Sequence, residues 1–472
     1  MRASYGILML IVLATAAALL PLRLVRPKAE LTMTVWGMPF EDRLFHDGYA
    51  LGFEALHPGV HVNYQRYGQE LMAKYEAWHA VGRGADVMRL GIDTYRNMVR
   101  KGMLLPLNKY INDPKIGLTD AEKADFLPTI WQALDLNGER YALPSDNALY
   151  GLYYNRKIFD AYNAAHPEAP LTYPSDDWTW DDVRRAARVL TIKEGNRTTQ
   201  YGVSFELWSW PFLSFLGQAG GEAWDADGTT TLINSEAGVE ALTFITELIP
   251  EDAPIRSVQL ADTGGGPIDL FKAGRLAVMF DGSWRAPNLE LDAPNLDFAI
   301  STLPHFRRRA VVGGSVIWAV SAHSRNPELA FQMVKWLVSR DQSLRYWDTL
   351  RVAPPALVSL VNSPQFEETH GVVQTVFGRP RVVVPAMPRA NFAARGQWIR
   401  DTLKPDPATG LPPRVIYTAL YQADLDRAVG TALTAAIRRD KTPRAALDAA
   451  VDEVHTIIDR DRAARGLPPV RR

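Results

Sequence analysis

From Leu31 onward the chain alternates between two periodicities, and this alternation restricts the fold more than any other feature. "LTMTVW" has Leu31, Met33 and Val35 on one face and Thr32, Thr34 and Trp36 on the other, which is a strand; Gly37 and Pro39 end it. Helical spacing follows, with Phe45, Tyr49, Phe53 and Leu56 on one stripe and Pro58-Gly59 as the stop. "VHVNYQRY" and "ADVMRLG" are further strands, the second short and apolar enough to be a parallel strand covered on both faces. Thr179 with Asp182 three residues later reads as a capping box, ahead of a helical face of Val183, Ala186, Ala187 and Leu190. "GVEALTFITELI" is another helix, and "GRLAVMFDG" and "GGSVIWAVSA" are each one strand. Pro327 opens a helix with Leu329, Met333, Trp336 and Leu337 facing inward. From about Thr418 the chain is helical, with Ala428, Leu433 and Ile437 on one stripe. Strands alternating with helices make this an α/β fold.

The N-terminus departs from the pattern. Ile7 to Leu20 is one apolar run, near the ~7–15 residues of a signal-peptide core and short of the ~20 that span a bilayer. Ala14, Ala16 and Ala18 offer small residues for cleavage. Only Arg2 precedes the run while Arg23, Arg26 and Lys28 follow it, the reverse of a positive-inside arrangement. A cleaved leader and an uncleaved membrane anchor both stay open. Either way, residues 1–29 are expected to direct export to the periplasm or the extracellular space.

Composition removes several classes. The chain is 47% hydrophobic and 22% charged, as an ordinary folded protein is. A formal net charge of -1 leaves no basic excess for nucleic acid. Without cysteine there is no disulfide, thiolate zinc site or cysteine nucleophile. "ADTGG" holds the Asp-Thr-Gly of an aspartic protease loop, but that chemistry needs two such loops, and only Asp262 has the signature. Pro58-Gly59 separates His57 from His61, so they share no helix face for a metal. There is no phosphate loop and no nucleophile elbow. Arg307-Arg308-Arg309 reads as a solvated charge run. No enzyme activity, cofactor or metal is expected.

What remains is a set of aromatic residues at strand ends, in a chain with 13 Trp and 17 Tyr. Trp36 ends the first strand, Trp208 and Trp210 follow "YGVS", and Trp284 follows "AVMFDGS". In open α/β sheets ligands gather at the carboxyl ends of strands. A flat indole suits the apolar face of a sugar ring, and nearby carboxylates and amides would hold its hydroxyls. Trp210 and Trp318 read more readily as core. Trp36 fits either role, and Trp284, just past a Gly-Ser turn, fits the site.

The order of these motifs resembles the family 1 extracellular solute-binding proteins, the sugar-binding partners of ABC importers. The resemblance runs from "LTMTVWG" to about "RVAPPAL" and includes "GFEALHPGVHV", "GADVMRL", "KGMLLPLNKY", "NGERYALPSDNALYGLYYNRKIF", "WTWDDVRRAARVLT", "FKAGRLAVMFDGSW" and "NPELAFQMVKWLVSRDQS". It implies the type II periplasmic-binding-protein fold, two lobes joined by crossing strands and closing on ligand. Lobe 1 would comprise 30–146 and 313–347, and lobe 2 would comprise 147–312 and 348–472. The resemblance puts Ser145, Asp146 and Asn147 at the cleft mouth, a second crossing near Gly314 and Ser315, and a third near Arg351. It makes Asp93 ligand-facing, Trp284 a sugar-stacking residue, and Trp208 the place of another aromatic.

Many relatives carry a lipid-anchoring cysteine after the leader, and this chain has none. The implied partners are a carbohydrate and the permease subunits of an ABC importer, with the protein itself a monomer. Two other readings stay open: a secreted glycoside hydrolase, whose two carboxylates would flank one bond, and a receptor for an anion such as a phosphorylated polyol, held by Arg89, Arg285 or Arg351.

Overall fold

In β1 (Ala29–Trp36) Leu31, Met33 and Val35 are fully buried, while Trp36 at the carboxyl end is 39% exposed. Alternation puts one row of side chains inside. Thr34, on the other face, is also buried, its hydroxyl 2.8 Å from Tyr75 Oη, because helices cover both faces of this sheet. The structure is a computed structural model that describes residues 27–37, 41–68, 70–195, 197–225, 228–248, 266–366, 372–376, 379–384, 414–416 and 421–470. The expected leader, up to residue 26, and most of the Thr263–Pro267 stretch lie outside them. Among the described residues no helix is long and apolar enough to cross a membrane.

Two sheets carry the molecule. The first contains β1, β2 (Val60–Tyr67), β3 (Val87–Gly91), β4 (Ala142–Pro144) and β11 (Val316–Val320), in the order β2-β1-β3-β11-β4. β1 runs parallel to β2 and β3, and β11 runs antiparallel to β3 and β4. The second contains β5 (Ala148–Asn155), β6 (Ile192–Glu194), β7 (Arg197–Phe205), β8 (Leu276–Gly282), β10 (Ala310–Gly314) and β14 (Arg414–Ile416). Its order is β14-β10-β5-β8-β7-β6, with β9 (Phe298–Ser301) also paired to β5. β12 (Val372–Val376) and β13 (Arg379–Val384) form a separate hairpin.

Each sheet has its own core on each face. Met33, Val87, Trp318 and Val320 lie on one face of the first sheet, and Met88, Leu90, Ile317 and Ala319 on the other. The second sheet buries Leu152, Val278 and Phe280 on one face and Tyr153, Leu276 and Met279 on the other. The chain crosses between the sheets at Ser145–Asn147 and again at Ser315. "GGSVIWAVSA", read from its sequence as one strand, is therefore the end of β10 and all of β11. Both halves are buried, so periodicity carries no sign of the break.

Three further readings change. Leu56 leaves the expected stripe and is 60% exposed. The turns at Leu44–Ala50 are π-helical, and the inward row is spaced by four: Phe45, Tyr49, Phe53 and then His57, stacked 4.0 Å from Phe53. The run Arg307-Arg308 is not simply solvated. Arg307 donates to Ala219 O, and Arg308 to Gly217 O and Gly221 O, satisfying carbonyls at the end of the helix Ser209–Gln218. Finally, the chain stays with the first lobe beyond residue 347. Ala356, Leu357 and Leu360 pack in that lobe's cores, while Val361, Phe366 and the two C-terminal helices pack in the second lobe's core, as Trp347 already does. The capping box at Thr179 has both of its bonds.

Candidate ligand-binding cleft

Register places the crossings and the strand-end residues at one level. Val316 pairs with Gly91 and Ile317 with Pro144, so the carboxyl ends of β3 and β4 lie beside the second crossing. In the other sheet Gly314 pairs with Ala148, Tyr150 with Gly282, and Phe205 with Phe280. Trp36 and Asp93 thus leave the first sheet, and Trp208 and Trp284 the second, at the ends that meet at the hinge. Ligands of open α/β sheets gather at the carboxyl ends of strands, so this junction is the candidate site.

The second lobe supplies an aromatic corner. Trp208 and Trp210 are stacked, centroids 5.0 Å apart and 7° between planes. Trp284 stands edge-on to both, at 6.1 Å and 74° to Trp208 and 5.3 Å and 76° to Trp210. Tyr150, buried behind them, presents its ring at 6.3 and 6.2 Å. All three indoles are half-buried. The corner needs bare backbone beneath it. A Cβ on Gly314 would sit 2.5 Å from the Trp210 ring, and one on Gly282 would sit 2.1 Å from the Trp284 ring. Trp210, read as core, belongs to this corner. Trp318 is core.

Acidic groups surround the corner. Asp281, buried at the end of β8, accepts Arg285 Nε at 2.6 Å, and Glu206 lies 3.3 Å from Arg285 Nη2. Burial pushes Asp281 up to about 6 against the pull of Arg285. Asp93, in the first turn of α3 (Ile92–Arg100), is open to solvent yet enclosed by protein on most sides, and that enclosure raises its carboxyl above the usual range. Asp426 lies on α9 (Gln422–Ile437) of the C-terminal helix pair α9–α10 (α10, Pro443–Ala464). Desolvation pushes it up to about 6 against hydrogen bonds from Ser209 and Gln422, and the charge of Asp93 adds to the rise. Gln422 Nε2 donates to Asp426 Oδ1 at 2.7 Å. The charge of Asp93, from the first lobe, thus reaches Asp426 of the second. The local pattern of an amphipathic helix gave no sign of Asp426.

The other residues singled out from the sequence form the hinge. Asp146 is 0% exposed. Its Oδ1 accepts the Val316 N–H at 2.8 Å, and its carbonyl accepts Ser315 Oγ at 2.6 Å. Ser145 N–H donates to Val316 O, and Asn147 N–H donates to Pro354 O. Asp146 and Ser315 tie the crossing strands through their side chains and Ser145 and Asn147 through backbone N–H groups, and all four residues are buried at the crossing. Arg351 is buried in the left-handed conformation, φ 52°, where it closes the helix Arg340–Leu350 and turns the chain toward Pro354.

Trp36 is on the first lobe, with the Arg89 guanidinium 4.6 Å from its ring. Arg89 is buried and committed, donating to Trp36 O and to Tyr346 Oη at 3.1 Å, and lying 3.5 Å from Glu41. His57 and His61 go to separate partners, Phe53 and Glu54.

The family model for bacterial extracellular solute-binding proteins matches residues 38–343. The chain belongs to that family. This solute-binding protein is 23% identical to the maltotriose-binding protein of Pyrococcus abyssi over 338 residues, 69% of this chain and 67% of that one. Among solved structures it resembles an ABC substrate-binding protein of Listeria monocytogenes in complex with cycloalternan, with TM-score 0.73 and 22% identity over 93% of this chain and 100% of that one. It also resembles the GacH receptor of Streptomyces glaucescens, solved with acarbose, with TM-score 0.69 and 20% identity over 91% and 98% of the two chains. These likenesses establish the two-lobed type II periplasmic-binding-protein fold.

Proposed function

We propose that this solute-binding protein captures an uncharged carbohydrate between its lobes and hands it to the permease of an ABC importer. The tryptophan corner carries the reading. Two stacked indoles and one perpendicular to them offer flat apolar area to two faces of a sugar, and Asp93 and Asp426 offer acceptors to its hydroxyls. Relatives named for maltotriose, cycloalternan and acarbose support the same class. Two of the three arginines that could hold an anion are already paired. Arg285 is already held by Asp281 and Glu206, and Arg89 by Glu41.

A thermal-shift screen across sugars, polyols and sugar phosphates tests the proposal. A ligand at 100 times its Kd adds about 2.7 kcal/mol of stability. The expected result is a raised melting temperature with one or more neutral oligosaccharides, each recovered intact after prolonged incubation. Shifts only with phosphorylated compounds sink the sugar reading, and cleaved oligosaccharide sinks the receptor reading.

In this reading residues 1–29 carry the protein out of the cytoplasm and it acts as a monomer, its lobes closing about the crossings at Ser145–Asn147 and Ser315. A reporter active only outside the cytoplasm, fused after residue 60, is expected to be active. A silent fusion of confirmed expression contradicts export.

A further inference from the structure

The C-terminal helix pair of the second lobe reaches across to the first. α3 is rooted in the first lobe, where Ile92, Tyr95 and Met98 are buried, and it packs against α9. Its last residue, Arg100, donates from Nη1 to Asp461 Oδ1 of α10 at 2.5 Å. Asp461 Oδ2 accepts the Tyr421 hydroxyl at 2.8 Å and lies 3.5 Å from Arg465 Nη1. The Arg100 guanidinium also lies 5.9 Å from the Tyr421 ring centroid, and its Nη2 donates to Asn97 Oδ1 at 2.9 Å. The Arg100 and Asp461 side chains are 26% and 20% exposed, more shielded than an ordinary surface pair.

A carboxylate held by two guanidiniums and a phenol has little freedom, because each partner limits the rotamers of the others. The position of this clasp matters more than its strength. The same α3 that ends in Arg100 carries Asp93 in its first turn. Tyr421 immediately precedes α9, which carries Gln422 and Asp426. The clasp therefore bears on both helices that carry acidic groups of the cleft: Asp93 lies at the opposite end of α3 from Arg100, and Asp426 lies five residues on from Tyr421 in α9.

We propose that Arg100 and Asp461 are positioning residues of the binding cleft: their clasp holds α9 against α3 and biases the lobes toward the narrow arrangement. The inference rests on reading the space between the lobes as the ligand site, but its test needs no ligand. The sugar screen and this measurement therefore fail independently.

The chain has no cysteine, so two can be introduced and spin-labelled without background. Ala77 in the first lobe and Ala164 in the second are exposed helical alanines suited to this. Pulsed dipolar spectroscopy then reads the distribution of distances between the lobes. Arg100→Gln and Asp461→Asn are each expected to shift the ratio of narrow to wide populations by about two- to five-fold toward wide. The double variant should shift it no further than the larger single effect, since both changes break one contact. Lys101→Gln, which removes only a neighbouring surface pair with Glu76, should leave it unchanged. Should either variant fail to fold, Tyr421→Phe removes one bond to Asp461 and keeps the ring, and a smaller shift in the same direction is expected. Distributions unaltered in a folded Arg100→Gln protein, or shifts that simply add in the double variant, overturn the proposal.

Discussion

Trp284→Ala is expected to weaken binding of the best neutral sugar from the screen by about ten- to hundred-fold, with both lobes still folded. A sugar face covering some ~60 Å² of indole is worth about 1.5 kcal/mol at ~25 cal/mol per Å². Trp284 also stands edge-on to Trp210 at 5.3 Å, so its removal loosens the second wall of the corner. The two effects together give roughly 1.5–3 kcal/mol. Trp284→Phe keeps a smaller ring against Gly282 and should lose less. The variant should also melt somewhat earlier, because the half-buried indole packs on the second lobe's core as well as facing the cleft. Calorimetric titration separates the two roles. A lower melting temperature with unchanged affinity would make Trp284 a packing residue only.

Residues whose environment is local were legible in the sequence, and residues defined by a distant partner were not. Trp208 and Trp284 could be placed because each follows a recognisable strand. Trp210 reads as core and does pack on the second lobe's core, but nothing local says that residues flanking Ser209 at a helix start will also stack on one another. Asp426 belongs to an amphipathic helix more than 200 residues from Ser209, which hydrogen-bonds to it, and its helix is legible while that partner is not. Arg89 was a partial signal: a lone guanidinium in the apolar strand "VMRLG" must find partners, and it finds Glu41 and Tyr346. The hinge is the clearest case. The polar insertion Ser145–Asn147 between two apolar strands was conspicuous, and two quite different structures would produce it. Whether it faces ligand or locks the crossing depends on Ser315 and Val316, some 170 residues on.

That lock has a measurable consequence: Asp146→Asn is expected to be more stable than the native protein at pH 8 and to match it near pH 4. Asp146 is fully buried, and burial pushes its carboxyl up to about 7, against the Val316 N–H, Arg89 and Tyr346, which favour the ionised form. In the unfolded chain the same group titrates near ~3.9. Between those values the folded protein holds a proton that the unfolded chain has released. Stability therefore falls as pH rises through this window, since it rises with pH only where the unfolded state binds more protons. The loss is full above about pH 7 and approaches roughly 4 kcal/mol, at about 1.36 kcal/mol per unit. Asparagine has nearly the same shape, keeps an oxygen to accept from Val316, and never ionises. Asp281 and Asp426 are raised in the same direction, but both proteins contain them and they cancel in the difference. Urea unfolding of the two proteins at several pH values between 4 and 8 gives that difference directly. Parallel curves would mean that Asp146 is not protonated in the folded hinge. A variant that loses stability at high pH would mean that Arg89 and Val316 hold Asp146 as a carboxylate, and that the charge itself fastens the crossing strands.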